Sequence, residues 1–377
     1  MDKNPPLREA LWWRTVKAGV QCLLCPWKCV LSKDSIGRCR VRMNSEGRLV
    51  SLVYQTPIAV HVDPIEKKPV FHLLPGSLVY SLATVGCNLS CEFCQNSDIS
   101  QSGPEKTPGK VMVPKRLRIT ETDDGRLRPE MEHETVETFS PEEVVEAALA
   151  TKCDSVAYTY SEPIVFFEYV LDTAKRAKEK GLRNVLVSAG YVEPEPLAQL
   201  VPYFDVIKID LKGFNETYYR KTVGGELRFV LRTLQELKRH RVFTEVVTLL
   251  VPTMNDDESD LKAMARWIKE NMGADTPLFF SRFTPQHHLQ NLYPTPIETM
   301  ERAWNIAKAE GLHYVYLGNV PGHPAESTAC PQCRQVLIRR YGYRILENKL
   351  DKDGRCPVDG TQIPGIWNRS KGIVPMS

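Results

Sequence analysis

The sequence predicts an α/β fold: a partial TIM-type barrel of six or seven βα units, with a cysteine-rich domain before it and a zinc-ribbon-like extension after it. Three observations carry this prediction. From residue 77 onward, short β-rich runs alternate with longer helical patterns, as in successive βα units with a parallel sheet. The β-rich runs are apolar on both alternating faces, which is typical of strands covered on both sides. Ten of the eleven cysteines form three groups, which lie before, within and after this region.

These patterns divide the chain into three expected parts. They are a four-cysteine metal-binding domain at residues 1–76, the barrel at 77–320 and a ribbon-like segment at 321–377. Within the barrel, residues 102–137 are rich in charge, proline and glycine, and are expected to form an inserted loop or small β excursion after the first strand.

The individual elements follow in chain order. The expected strands are 77–86, 155–160, 184–190, 206–211, 243–251, 278–283 and 313–319. The expected helices are 141–151, 163–180, 194–200, 226–240, 257–272 and 296–310. The first of these helices has a clear beginning, because Ser140 and Glu143 form a capping-box pattern around Pro141.

Composition excludes several classes of protein. No apolar run approaches the ~18 residues that a membrane span needs, and the opening residues lack the apolar stretch of a signal peptide, so cytoplasm is the simplest location. A formal charge of +3 is too small to indicate a nucleic-acid-binding face. Eleven cysteines without a secretory signal indicate metal or redox chemistry rather than disulfides.

The middle cysteine group leaves a coordination position open. Cys87, Cys91 and Cys94, in "CNLSCEFC", directly follow the first barrel strand. A structural zinc site is normally closed by four protein ligands, and no further cysteine or histidine lies nearby in the sequence. Three thiolates can instead hold three corners of a [4Fe–4S] cluster and leave one iron available. The motif therefore favours a catalytic iron–sulfur cluster over a structural metal site.

The outer cysteine groups predict metal sites of a different kind. One, in "CLLCPWKCVLSKDSIGRC", is a complete set of four thiols: Cys22, Cys25, Cys29 and Cys39. Four thiols favour a zinc site, although an auxiliary iron–sulfur cluster takes the same number of ligands. The other has the layout of a zinc ribbon whose last ligand has become a carboxylate: Cys330, Cys333, Cys356 and Asp359. A degraded ribbon without metal is the equally weighted alternative.

The C-x3-C-x2-C motif, with Phe93 before its last cysteine, resembles that of the radical S-adenosylmethionine (SAM) superfamily. The resemblance implies that SAM chelates the open iron of a [4Fe–4S] cluster. One electron from the cluster then cleaves SAM to a 5'-deoxyadenosyl radical, which abstracts a hydrogen atom from a substrate.

The same resemblance implies cofactor-binding residues at the strand ends. Glu162, in "YTYSEP", matches the acidic residue of a Gly-Gly-Glu-Pro motif that contacts the methionyl amino group, with Tyr160 and Ser161 in place of the glycines. Ser188, in "VSAG", matches a polar residue near the ribose.

Two later segments resemble glycyl-radical-enzyme activating enzymes. Asp210 and Lys212, in "IDLKG", match their D-x-K motif at the methionine end of the cofactor. "LLVPTMNDD" resembles their V-P-G-x-x-D-D segment, with Thr253 in place of the glycine; the resemblance implies that Val251 flanks the adenine, and a core valine is the alternative.

Segments along nearly the whole chain, including "DPIEKKPVFHLLPGS" and "YLGNVPGHP", resemble the radical SAM enzymes of AmmeMemoRadiSam systems, which are relatives of pyruvate formate-lyase activases. This resemblance implies a protein substrate, a flavodoxin- or ferredoxin-type electron donor, and Memo-like and AMMECR-type protein partners. Radical modification of a small molecule or an RNA is the alternative activity. A non-enzymatic adaptor held together by structural metals is the alternative from another class.

Overall fold

The computed structural model describes residues 7–107, 109–121, 127–370 and 372–376. Its strands are β1 (Arg8–Glu9), β2 (Trp13–Val16), β3 (Gly19–Cys22), β4 (Val30–Leu31), β5 (Arg42–Ser45), β6 (Arg48–Ser51), β7 (Ala59–Pro64), β8 (Leu78–Ala83), β9 (Val111–Glu121), β10 (Leu127–Val136), β11 (Ser155–Tyr158), β12 (Arg183–Ser188), β13 (Val206–Asp210), β14 (Phe243–Leu250), β15 (Leu278–Arg282), β16 (Val315–Gly318), β17 (Thr328–Ala329), β18 (Val336–Tyr341) and β19 (Arg344–Asn348). Its α-helices are α1 (Ser97–Ser100), α2 (Pro141–Ala150), α3 (Phe167–Glu179), α4 (Pro194–Leu200), α5 (Glu216–Tyr218), α6 (Leu227–Arg239), α7 (Glu258–Asn271) and α8 (Ile297–Ala309).

The central element is an eight-stranded sheet in the order β16-β15-β14-β13-β12-β11-β8-β7. Strands β8 and β11 to β16 pair in parallel, while β7 pairs antiparallel with β8 at one edge. Each of the seven expected barrel strands is present. Because β16 and β7 are the two edges of the sheet, the barrel is open between them, which confirms the predicted partial barrel.

The helices between these strands agree with the sequence patterns. Helix α2 begins with the expected capping box: the Ser140 hydroxyl accepts a hydrogen bond from the Glu143 backbone N–H at 3.3 Å, and the Glu143 carboxylate accepts one from the Ser140 N–H at 2.8 Å. The pattern expected as one helix over 163–180 is divided into a 3₁₀ turn at Pro163–Phe166 and helix α3.

Alternate residues of each strand point into the barrel, and their character changes along its axis. At the N-terminal ends of the strands the inward residues are apolar, and they pack with Leu73 and Ile366 from outside the barrel strands. On β13 the inward residues after Val206 are Lys208 and Asp210. The lower end of the barrel is therefore a plugged apolar core, and the C-terminal ends of the strands surround a polar space.

The N-terminal region consists of two small antiparallel sheets, in the orders β2-β3-β4 and β1-β6-β5. Its buried residues belong to the same hydrophobic core as the barrel. Buried Arg42 on β5 donates two hydrogen bonds, of 2.6 and 2.7 Å, to the buried carboxylate of Glu168 on α3. Strand β7, within residues 1–76, belongs to the barrel sheet.

The segment inserted after the first barrel strand contains an antiparallel hairpin of β9 and β10, so a small β excursion is what the structure has there. Residues 108 and 122–126 of the expected insertion lie outside the described residues. The Tyr80 hydroxyl of β8 donates a 2.7 Å hydrogen bond to the Pro114 carbonyl of β9, which joins the hairpin to the barrel.

The C-terminal region forms the antiparallel sheet β17-β18-β19. Arg340 of β18 is buried and donates hydrogen bonds to the Phe71 carbonyl at 3.0 Å and the Thr328 hydroxyl at 2.8 Å. Within the described ranges, the structure has no helix with the length and apolar character needed to cross a bilayer.

Candidate active site and metal sites

The loop that carries Cys87, Cys91 and Cys94 follows β8 and is held by backbone hydrogen bonds to the turn after α5. The Ser90 N–H donates to the Val223 carbonyl at 3.1 Å, and the Glu92 N–H donates to the Thr222 carbonyl at 2.9 Å. These bonds fix the loop at the C-terminal end of the barrel, where parallel βα folds place their active sites.

The three cysteines open onto a cavity of about 380 Å³ at the C-terminal ends of the strands. Its walls include residues that the sequence assigns to cofactor binding: Glu162, Asp210 and Lys212. Its lining also includes Lys67, Lys68 and, from the turn between β18 and β19, Tyr343. One space therefore joins the thiols, the acidic residues and a set of lysines.

Phe93 stabilises the cysteine loop from one side. It is buried, and its ring stacks parallel on the ring of Tyr218 with centroids 6.2 Å apart. The Lys212 ammonium lies 5.9 Å from the centre of the Phe93 ring. The aromatic position before the last cysteine thus connects the loop to the segment after β13.

Glu162 is buried, and its carboxylate accepts three hydrogen bonds. They come from the Ser188 hydroxyl at 2.7 Å, the Ala189 N–H at 2.8 Å and the Ile164 N–H at 3.1 Å. Burial raises the pKa of Glu162, and these donors oppose the rise. Tyr160, where the resembling motif has glycine, has a φ of 65°, so the tight turn before Glu162 is kept with a non-glycine residue.

Asp210 lies between two lysines. Its carboxylate is 2.5 Å from the Lys208 ammonium and 3.4 Å from the Lys212 ammonium. Burial raises the pKa of Asp210, but the two lysines outweigh this effect and hold the pKa below its ordinary value. Asp210 is therefore an anion at neutral pH.

A second charged cluster lies at the β7 edge of the barrel sheet, and two of its lysines line the same cavity. Asp63 on β7 accepts hydrogen bonds from Lys67 at 2.8 Å and Lys68 at 2.6 Å, and also from the Tyr160 hydroxyl. Burial lowers the pKa of Lys68 to about 8, although Asp63 opposes this change. The Lys68 ammonium also lies 4.1 Å from the centre of the Tyr160 ring.

Two residues assigned to the cofactor are not among those that line the cavity. Ser188 contacts Glu162 and so orients that carboxylate, while its neighbours Val187 and Ala189 form the wall. Val251 is buried in the core, and its N–H donates a 2.7 Å hydrogen bond to Asn255. A contact between Val251 and adenine stays a prediction.

Sequence reasoning missed Lys208 and Asp63. Lys208 is two residues before Asp210, so the alternation that places Asp210 and Lys212 on one face extends to K-x-D-x-K and could have identified it. Asp63 had no such signal, because its partner Tyr160 is 97 residues away in the chain.

The outer cysteine groups differ in the spacing of their ligand atoms. The C-terminal group is compact: the ligand atoms of Cys330, Cys333, Cys356 and Asp359 all lie within 4.8 Å of one another. Among the described residues, it is the one group of three or more cysteine, histidine or acidic side chains found with such spacing. Two sulfurs of this group, Cys333 and Cys356, are 3.6 Å apart. The four N-terminal cysteines are less closely spaced and line one small cavity.

Burial raises the pKa of two thiols that line the main cavity, Cys87 and Cys91. The pKa of Cys91 is about 12 even though the nearby Lys212 lowers it, and the pKa of Cys87 lies well above its ordinary value. Thiolates at these positions are therefore unfavourable unless a cation binds them. This environment suits a metal centre.

Comparison with known proteins identifies the family. The sequence profile of the radical SAM superfamily matches residues 81–268. An uncharacterized protein of Methanocaldococcus jannaschii, MJ0808, is 39% identical over 359 residues, which cover 95% of this chain and 99% of that protein.

More distant relatives include activating enzymes. The pyruvate formate-lyase-activating enzyme of Clostridium pasteurianum is 20% identical over 185 residues, covering 49% of this chain and 66% of that enzyme. The crystal structure of a domain of pyruvate-formate lyase-activating enzyme from Bacteroides vulgatus matches 44% of this chain and 99% of that chain, with 18% identity and a TM-score of 0.39. From the family profile, the long relative and the motif at the first strand, the chain belongs to the radical SAM superfamily.

Proposed function

We propose that this protein is a radical SAM enzyme that abstracts a hydrogen atom from a protein substrate, in the manner of an activating enzyme. The observation that carries the proposal is the cavity of about 380 Å³ that joins Cys87, Cys91 and Cys94 to Glu162 and Asp210.

The residues present fit a [4Fe–4S] cluster with SAM as the ligand of its open iron. Three thiols face the cavity from one loop, and this is one ligand fewer than such a cluster normally takes from protein. When bound, the cluster and SAM supply the one-electron chemistry that generates a 5'-deoxyadenosyl radical.

The chain's own residues would bind and orient the cofactor. The Glu162 carboxylate, fixed by Ser188 and two backbone N–H groups, is an acceptor for the methionyl amino group. Asp210 and its two lysines form a rigid charged wall, of which Lys212 lies closest to the cysteine loop. Because both acidic groups are held by bonds within the protein, they are oriented before any ligand binds.

The proposed substrate class rests on the activating-enzyme relatives. A flavodoxin- or ferredoxin-type protein would donate the electron, and Memo-like and AMMECR-type proteins are the first substrates to test. The open lateral side of the barrel, between β16 and β7, lies next to Lys67 and Tyr343 at the cavity edge. A segment of a partner protein would reach the cavity past these residues.

The C-terminal group is a candidate zinc site within this proposal. A tetrahedral zinc ion with Zn–S bonds of about 2.3 Å places its sulfurs about 3.8 Å apart. The 3.6 Å distance between Cys333 and Cys356, and the 3.4 Å distance from the Cys330 sulfur to the Asp359 carboxylate, agree with that geometry.

The decisive experiment is anaerobic SAM cleavage. The full chain, loaded with iron and sulfide and reduced with dithionite, is expected to convert SAM to 5'-deoxyadenosine. Cys87→Ala should abolish this product. Cys153→Ala is the matched control, because Cys153 is buried outside the three groups and contacts Thr151. Wild-type protein that loses about four irons on Cys87→Ala substitution, and so carries iron at the barrel cysteines, yet yields no 5'-deoxyadenosine contradicts the proposal.

Mass spectrometry distinguishes the substrate classes. Incubation with candidate partner proteins, small RNAs and metabolite fractions should yield a modified or cleaved protein. A modified RNA or small molecule would contradict the protein substrate but not the radical chemistry. Zinc alone, without iron loading or SAM binding, would instead support the adaptor.

A further inference from the structure

We propose that Cys22, Cys25, Cys29 and Cys39 hold a second [4Fe–4S] cluster, packed against the loop that carries the first. This goes beyond the proposed function, which needs the three cysteines of the barrel alone. The sequence by itself favours zinc at this site, whereas the geometry of the four thiols favours a cluster.

The first argument is the spread of the sulfur atoms. A single zinc ion draws all its sulfurs to about 3.8 Å from one another. The ligand atoms of the C-terminal group all lie within 4.8 Å of one another, and no three of the N-terminal cysteines form a compact group of this kind, although all four are among the described residues. In a [4Fe–4S] cube each cysteine binds a different iron, so the sulfurs are held farther apart.

The barrel cysteines provide an internal standard. Cys87, Cys91 and Cys94 likewise form no compact group of this kind, and they match the cluster-binding motif of the radical SAM superfamily, to which this region belongs. The protein therefore contains one compact ligand set and two expanded ones. The N-terminal set resembles the cluster-binding set.

The second argument is the space between the thiols. All four N-terminal cysteines line one small cavity, whose other walls are mostly apolar and include Leu24, Leu31 and Val165. An iron–sulfur cube needs such a space among its ligands, and apolar walls keep water from its sulfides.

The site also adjoins the barrel cysteine loop on both sides of Cys87. Gly86 has a φ of 99°, and a Cβ atom there would lie 2.7 Å from the Cys39 carbonyl oxygen. On the other side, the Asn88 carbonyl accepts a 2.7 Å hydrogen bond from the Trp27 indole N–H, and Asn88 lines the four-cysteine cavity. Only glycine allows this close approach at position 86.

The test is the metal content of the full chain carrying Cys87→Ala, Cys91→Ala and Cys94→Ala. After anaerobic loading with iron, sulfide and zinc, this variant should retain about four irons and four sulfides per chain. It should also show an electron paramagnetic resonance signal after reduction. Adding Cys22→Ser and Cys29→Ser should remove both. Zinc in place of iron in the triple variant overturns the proposal.

Two further measurements keep the result interpretable. Wild-type protein should bind about eight irons rather than about four, and this count does not depend on any variant folding correctly. A variant with Cys330→Ala and Cys333→Ala should lose zinc but keep all its iron. Because these readouts are metal content and spectra, failure of SAM cleavage would leave them unaffected, and the two proposals can fail separately.

Discussion

The two outer cysteine regions are attached to the same barrel in different ways. Each is anchored by a buried arginine. Arg42 of the N-terminal region is paired with the buried carboxylate of Glu168 on a barrel helix. Arg340 of the C-terminal region instead donates to neutral oxygens of Phe71 and Thr328, and its guanidinium lies 4.1 Å from the Phe71 ring centre.

The N-terminal and C-terminal regions, whose arginines are held differently, also lie against different parts of the barrel. The N-terminal region shares the main core with the barrel and contacts the Cys87 loop directly. The C-terminal region packs with Phe71, Phe279 and Tyr316 in a separate core beside the open edge of the barrel. A fully buried charge pair thus holds the region next to the active-site loop. In the C-terminal region the buried arginine contacts neutral oxygens and an aromatic ring, and an ion pair to the barrel, Arg369 with Asp154, involves an exposed arginine.

The largest expected effect comes from breaking the charge pair. Glu168→Leu leaves Arg42 buried without its carboxylate, and should reduce the free energy of unfolding by about 3–5 kcal/mol. Urea denaturation of the full chain measures this. The double variant with Arg42→Met should recover much of the loss, because it removes the isolated charge. A loss that is merely additive in the double variant would contradict this account.

A pH dependence is expected from Glu245, which holds the segment on which Arg340 packs. Its carboxylate accepts 3.0 Å hydrogen bonds from the N–H groups of Phe71 and His72. Burial raises the pKa of Glu245 from 4.5 to about 7, although these bonds oppose the rise.

Because the folded state keeps this proton to higher pH than the unfolded chain, the associated stability is complete below pH 4.5. It is lost as the pH rises toward 7, by up to about 3 kcal/mol. Urea titrations at several pH values should show a flatter dependence in Glu245→Gln. An equal slope in both proteins would contradict the assignment.

Removing the C-terminal arginine should have a smaller effect than removing Glu168. Arg340→Met removes hydrogen bonds to neutral acceptors and breaks no direct ion pair, so we expect a loss of about 1–3 kcal/mol in the free energy of unfolding. Arg339→Met is the matched control, since Arg339 is exposed and its ion pair with Glu347 is 3.7 Å long. That control should change stability by less than about 0.5 kcal/mol. Equal losses from both variants would show that the anchor is unimportant.

The smallest predicted effect concerns the metal of the C-terminal group. Asp359→Cys replaces a carboxylate with a thiolate, which zinc binds more strongly, so zinc should be retained roughly tenfold more tightly, or by about 1.4 kcal/mol. Competition with a chelator measures this. The same substitution should leave the iron content unchanged. Unaltered zinc retention would indicate that Asp359 is not a ligand.

Much of the fold could be predicted because its signals are local. The barrel strands are apolar runs, and the capping box of α2 lies within four residues, so both can be predicted from short segments of the sequence. The open motif at Cys87, Cys91 and Cys94 is equally local. By contrast, the cluster of Asp63, Lys68 and Tyr160 joins segments that are distant in the chain, and no periodicity relates them.

The sequence by itself determined the parallel barrel, the three cysteine groups and the position of the open one, because strand alternation and ligand spacing are short-range properties. Only the tertiary structure decided the spacing of the ligand atoms in each group and the placement of the N-terminal group against Gly86 and Asn88. It also decided that Ser188 contacts Glu162 rather than lining the cavity. The physical reason is that distances between side chains from different loops depend on how the loops pack. Packing in turn depends on many contacts between segments that are distant in the chain.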